Sequence, residues 1–170
     1  GDLGGGPLGV DDVVLGSSRG PGGALGRLAA LRAGLGQEVP GMTVDRQCAA
    51  GLEAVTTAAA LVSAGQARVV VAGGSESASQ APPGRAQFAP LDVGDPDMGV
   101  AAETVAREAG VTRERQDAYA ARSHARALAA RADGRFDDEI VPLAGLTTDD
   151  RPRAITEARL ARLRPAFVDD

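Results

Sequence analysis

The chain has 170 residues, 44% of them hydrophobic and 24% charged, which supplies apolar material for one substantial core and a small second lobe. A net charge of −5 excludes a global basic field that would draw nucleic acid or an anionic membrane. A single cysteine excludes an intramolecular disulfide framework and a multi-cysteine zinc site. No apolar run reaches the length of a membrane span and no basic-then-apolar leader opens the chain, so the expected compartment is the cytoplasm. The first residue is Gly1 and not Met, and the chain reads as cut from something longer. All 18 basic residues are Arg. Codon bias explains that usage, although the planar guanidinium also grips phosphates bidentately, which makes local Arg clusters worth following. With three Phe, one Tyr and no Trp, the core is expected to be Ala, Val and Leu, its helices packed through small side chains.

In chain order, Gly4-Gly5-Gly6 lacks the P-loop lysine and carries no structural signal. Asp12 to Gly16 is a short apolar run closed by glycine, suited to a buried strand. Gly22-Gly23 eases the chain into a helix whose Leu25, Leu28, Leu31 and Leu35 recur near helical spacing, ending at Gly34 or Gly36. Met42 to Val44 reads as a brief strand. From Cys48 to Ala64 only Glu53 is charged, which predicts a helix buried on most faces and stopped by Gly65. Val69 to Ala72 reads as a central parallel strand covered on both sides, so this stretch forms a βαβ unit.

Beyond Ser79 the composition changes. Ala81 to Gly84 and Asp92 to Asp97 are loop by their Pro, Gly and Asp content. A helix is expected from about Val100 to Ala109. A longer one follows Thr112 as N-cap and closes at Gly134, with Ala118, Ala121, Ala125, Leu128, Ala129 and Ala132 on one stripe. Phe136 to Leu143 reads as extended, and Thr156 to Phe167 as one short helix stopped by Pro165. The fold class is therefore α/β, with residues 1–80 an α/β half and residues 81–170 a mostly helical covering lobe.

Cys48 is the first chemical candidate, standing where a short strand becomes an apolar helix. The unpaired N–H groups and dipole of a helix N-terminus favour an anion and so the thiolate. Ala49, Ala50 and Gly51 leave room for an extended substrate, and the N–H of Cys48 is placed to stabilise an oxyanion. The competing reading is a small buried hydrophobe. His124, the one histidine, falls at the margin of the long helix's stripe and reads as structural or solvated.

Asp45-Arg46-Gln47-Cys48-Ala49-Ala50-Gly51-Leu52-Glu53-Ala54-Val55 resembles the acyl-cysteine segment of the thiolase family. Val71 to Ser79 resembles the family's Ala-Gly-Gly-x-Glu-x-Met-Ser strand exit, and Met98 to Ala106 its Met-Gly-x-Thr-Ala-Glu-x-Val-Ala segment. Arg113 to Asp117, Arg122-Ser123-His124, Gly134 to Phe136, Asp138 to Pro142 and Leu163 to Phe167 follow in family order. The resemblance covers nearly the whole chain from Asp12 and matches the N-terminal part of an acetyl-CoA acetyltransferase or 3-ketoacyl-CoA thiolase.

That resemblance implies acyl transfer between coenzyme A thioesters, by thiolysis or Claisen condensation, as part of fatty acid metabolism. Cys48 is then the acyl carrier. Met98 falls where the family lines its pantetheine and acyl pocket. Arg151 and Arg153 fall near the loop that meets the phosphate end of CoA, Arg153 being the substrate-binding candidate and a solvated charge pair the alternative. The implied partners are acyl-CoA and CoA, with no cofactor beyond that substrate, no metal, no nucleic acid and no membrane. A layered α/β fold and a homo-oligomer of the full-length protein are implied too.

Several departures accompany the match. Thiolases take a base His, an oxyanion-holding Asn and a second Cys from their C-terminal half; this chain has one His in another segment and no second Cys. Asp45 replaces the family's usual Asn, Ala50 its usual Ser, and the loop from Ser79 to Met98 is short. The isolated chain is therefore expected to turn over little or not at all. A noncatalytic acyl-CoA-binding or subunit protein of thiolase type is the alternative. A ketoacyl synthase-type condensing enzyme fits the residues before Cys48 less well, and a redox cysteine lacks any resolving partner.

Overall fold

The computed structural model of the protein describes residues 8–20 and 22–168, so Gly4-Gly5-Gly6 lies outside the described residues. It divides into two compact units, one up to Ala86 and one from Gln87.

The first unit is built on a parallel sheet of β1 (Asp12–Gly16), β2 (Gly41–Val44) and β3 (Val70–Gly74), in the order β2-β1-β3. Val14 of β1 is in register with Met42 on one side and Ala72 on the other. Strand β1 earns the centre by its Val13-Val14 pair, whose side chains alternate to opposite faces and are 3% and 0% exposed. Helix α1 (Leu25–Arg32) packs on β1 and β2, where Ala30, Leu35 and Val39 join Val10 and Val13 in one apolar cluster. Helix α2 (Ala50–Ser63) packs on β1 and β3.

Both helices reach the sheet through their smallest residues. A Cβ on Gly26 of α1 would lie 2.2 Å from the Met42 carbonyl oxygen, and one on Gly41 would lie 2.5 Å from the Arg27 nitrogen. The helix and β2 therefore cross backbone to backbone, and no other residue fits that crossing. The buried face of α1 is Gly26 and Ala30; of the expected leucine stripe, Leu28 and Leu31 are exposed, Leu25 is half-buried and Leu35, past the end of the helix, is in the core. Close approach through glycine turns Leu28 and Leu31 outward.

Two further expectations are corrected. In α2 only Ala50, Ala54 and Ala58 are buried, whereas Leu52, Val55 and Val62 are exposed, so the helix is covered on one face and not on most. Among the described residues strand β3 lies at the edge of the sheet and not at its centre, and Val69 and Val71 are about half exposed. In both cases uniform apolarity identified an element without showing which side the described residues cover. At the entrance to the sheet, the Asp11 carboxylate accepts the N–H groups of Arg68 and Val69 at 2.7 and 2.9 Å. Those backbone bonds, Val69 first, hold its pKa below the ordinary carboxylate value.

The second unit holds α3 (Met98–Glu108), α4 (Arg113–Ala132) and α5 (Glu157–Leu160). Each starts on a side-chain cap: Asp97 accepts from the Gly99 N–H at 2.9 Å, Thr112 from Arg115 at 3.4 Å and Thr156 from Arg159 at 3.3 Å. Arg113 ties the unit together. Its Nε donates to both Asp117 oxygens at 2.9 and 3.0 Å, and Nη2 donates to the carbonyls of Leu160 and Leu163 at 2.7 and 3.0 Å.

The sequence expectations for this unit are met at α3, α4 and α5, with α5 ending at Leu160, ahead of Pro165. On α4 the buried position is Asp117, while Ala125, Ala129 and Ala132 of the proposed stripe are exposed. The charged residue goes inside because Arg113 supplies its partner. Phe136 to Leu143 is not extended. Gly134 to Ile140 forms consecutive turns, closed by Asp137 N–H to Gly134 and Ile140 N–H to Phe136 carbonyl bonds, because Gly134 at φ +68° redirects the chain.

Candidate active site

Cys48 lies on the turn between β2 and α2, two residues before the first residue of the helix, and is a free, exposed thiol. The turn is built by its neighbours. The Asp45 carboxylate accepts the Gln47 N–H at 2.8 Å. Gln47 takes φ +51°, a left-handed conformation that costs a side-chain-bearing residue about 1–2 kcal/mol. The carbonyls of Arg46 and Gln47 then accept from Ala49 and Ala50 at 3.0 and 2.9 Å, which starts the helix. Arg46 reaches forward to pair with Glu53 in the first turn of α2. Ala49, the N-cap, brings no side-chain acceptor, so the start of the helix keeps its positive polarity for an outside anion.

Three glycines set where that helix start sits. A Cβ on Gly16, the last residue of β1, would lie 2.3 Å from the carbonyl carbon and oxygen of Ala50 and 2.6 Å from the Gly51 nitrogen. A Cβ on Gly74 would be 3.5 Å from the Gly51 Cα. The start of α2 thus rests on the carboxyl ends of β1 and β3, the edge of a parallel sheet where open α/β folds gather ligands. The Ser75 N–H continues the pairing by donating to the Gly16 carbonyl at 2.9 Å.

Glu76 joins the loops that leave those two strands. One of its oxygens accepts the Ser18 N–H and hydroxyl at 2.9 Å each and the Arg19 N–H at 3.0 Å. The backbone bonds from Ser18 and Arg19 hold its pKa below the usual carboxylate range. Glu76 stands inside a segment singled out in the sequence, yet its role was not legible there, because its partners are 57 and 58 positions away. Asp45 was legible only as a departure from the family pattern. Its contribution is the turn before the thiol.

The other two sequence candidates belong to the second unit. Met98 is the first residue of α3 and is 59% exposed. Arg153 is exposed in the segment between α4 and α5, and its neighbour Arg151 stands 3.6 Å from Asp150 on the surface. His124 is half-buried on α4.

Such a parallel α/β unit with a thiol at its carboxyl edge is matched by a known family, and the chain belongs to it: the model of the thiolase N-terminal domain matches residues 6–170. The Acetyl-CoA acetyltransferase of Pseudomonas aeruginosa PAO1 is 41% identical over 192 residues, which take in 95% of this chain and 49% of that protein. YhfS of Bacillus subtilis strain 168, whose acetyl-CoA C-acetyltransferase activity is itself a provisional assignment, is 49% identical over 162 residues, 93% of this chain and 44% of its own length. The crystal structure of the Bacillus anthracis acetyl-CoA acetyltransferase superposes with a TM-score of 0.83 at 36% identity, covering 96% of this chain and 49% of that one. The fold is therefore a partial thiolase fold. The chain spans about half the length of the curated relatives it matches.

Proposed function

We infer that the protein is an acyltransferase that moves acyl groups between coenzyme A thioesters, with Cys48 as the acyl carrier. The observation that carries this reading is the exposed Cys48 thiol at the polarised start of α2. The Cys48 sulfur, as thiolate, adds to the thioester carbonyl carbon. The carbonyl electron pair moves to oxygen and returns as the C–S bond to CoA breaks, and CoA leaves as a thiolate that takes from solvent the proton Cys48 gave up to it. The acyl group then passes from Cys48 to the carbanion of a second acetyl-CoA or back to a CoA thiol. Helix-start N–H groups near the carbonyl favour the charge that builds on its oxygen.

Family relatives bring a base and a second cysteine to these proton transfers. In this chain His124 belongs to a different unit from Cys48, and Cys48 is the only cysteine. Stoichiometric acylation is therefore what the chain by itself is expected to do. Met98 and Arg153 are the proposed contacts to the pantetheine–acyl portion and to the phosphate end of CoA; both are exposed. On the same reading the whole protein acts in fatty acid metabolism in the cytoplasm, as a homo-oligomer and without a cofactor beyond its substrate. No helix among the described residues is long and apolar enough to cross a membrane.

The test is the rate of Cys48 alkylation by iodoacetamide near pH 7 against a model thiol, with acetyl-CoA labelling followed by intact mass. Faster alkylation and an acetyl adduct lost in Cys48→Ala are expected. A rate equal to the model thiol, with no adduct, removes the activated-nucleophile reading.

A further inference from the structure

One face of α4 carries a charge pattern that the acyl-transfer reading does not use. Arg115, Tyr119, Arg122 and Arg126 recur at intervals of four, three and four, which places them on one stripe of the helix. All four are exposed, and the stripe lies opposite Asp117, the buried position of α4. It runs about 16 Å, or three turns. The Arg122 guanidinium lies over the Tyr119 ring, 5.4 Å from its centre, and Arg115 donates to the Gly110 carbonyl. Among the described residues no carboxylate pairs with Arg115, Arg122 or Arg126. The two acids of α4 are placed elsewhere: Glu114 belongs to the capped first turn and Asp117 is bound by Arg113. Arg122 and Arg126 stand four apart as like charges, an arrangement that weakens a helix left alone. On the stripe opens a shallow cleft of about 580 Å³, lined by Val111, Ala118 and Tyr119 and rimmed by Arg115, Gln116 and Arg122.

We propose that this face of α4 docks an acidic amphipathic helix of a partner protein, with its carboxylates on the three arginines and an apolar side chain in the cleft beside Tyr119. Charge selects the occupant. The chain as a whole carries −5, which opposes a long polyanion or an anionic sheet of lipid, whereas a segment of three turns meets only the basic stripe. None of the described helices of this chain carries more than two acidic residues, so none of them presents the acidic stripe that the occupant needs. Arg and Tyr are also the residues that dominate binding energy at protein interfaces.

The probe is a fluorescein-labelled helical peptide about five turns long, with Glu at i and i+4 and Leu on the flank, followed by anisotropy. The proposal expects saturable binding that weakens as salt shortens the Debye length below about 8 Å. Kd should rise at least about tenfold in R115A/R122A/R126A and several-fold in Y119A, and stay unchanged in R32A/R162A, which removes charge off the stripe. Alanine favours helix at these exposed positions, and circular dichroism checks that the triple variant is folded. Equal binding of the Glu→Gln peptide, equal loss in R32A/R162A, or wild-type binding by the triple variant overturns the proposal. So does stripe-dependent retention on phosphatidylserine vesicles that exceeds binding to the peptide.

Discussion

Replacing Gly16 by Ala probes the contact that seats α2 on the sheet. The added methyl would meet the Ala50 carbonyl carbon and oxygen at 2.3 Å, where relaxed carbon contacts settle near about 3.5–4 Å. The two backbones must separate by roughly 1 Å. Neither side of the contact is a flexible side chain, so the cost belongs at the upper end of overpacking, about 3 kcal/mol. With a urea slope of about 2 kcal/mol per molar, the unfolding midpoint should fall by about 1.5 M. The displaced helix start should also change the iodoacetamide rate of Cys48, because the thiol is two residues from Ala50. Gly73→Ala is the internal control. Its methyl meets only the Leu15 Cδ2 at 4.0 Å, an ordinary contact, and stability should stay near wild type. If Gly16→Ala melted together with Gly73→Ala and left the thiol rate unchanged, the claim that the two strand ends seat the helix that follows Cys48 would be wrong.

Three further outcomes are expected. Asp45→Ala removes the acceptor of the Gln47 N–H and should cost about 1 kcal/mol in urea unfolding while slowing Cys48 alkylation; Asp45→Asn, which keeps an oxygen there, should restore both. Asp117→Ala leaves Arg113 without its carboxylate; because the Arg113 side chain is 37% exposed, the loss should be about 2 kcal/mol, below that of a fully buried pair, and limited proteolysis should then cut sooner around Leu160 to Leu163. Asp11 and Glu76 both have folded-state pKa values below their ordinary ones, so the unfolded chain takes up their protons first. Their stabilisation is complete above the usual carboxylate range and declines as pH falls through it towards the lowered folded values. Urea midpoints between pH 6 and about 3 should fall accordingly, and Glu76→Gln should flatten that slope.

The strands and helices of this chain were legible where glycine or a capping residue marks their ends. Gly16 closes β1, Gly65 follows α2 at φ +69°, and Thr112 caps α4 as its sequence position indicates. Burial was not legible in the same way. An all-apolar segment such as α2 contains the residues that touch the sheet, but three alanines one turn apart do so while the larger leucine and valines point away. In α1 the packing face is likewise Gly26 and Ala30, residues that a search for large hydrophobes passes over. The site divides along similar lines. Cys48 stood out in the sequence because its segment resembles a known motif, and the structure places it, exposed, at the strand-to-helix junction the sequence predicted. Glu76 and the left-handed Gln47 did not stand out, since the first acts on residues far away in sequence and the second is a backbone conformation that no side-chain pattern announces.

The crossing of Gly26 over Gly41 has a mechanical consequence. Two backbones in direct contact have no side chains between them to change rotamer, so this seam can transmit displacement but absorb little of it. Helix α1 and β2 therefore travel as one body. Because β2 ends at Val44, the same seam fixes the strand end from which the turn to Cys48 departs.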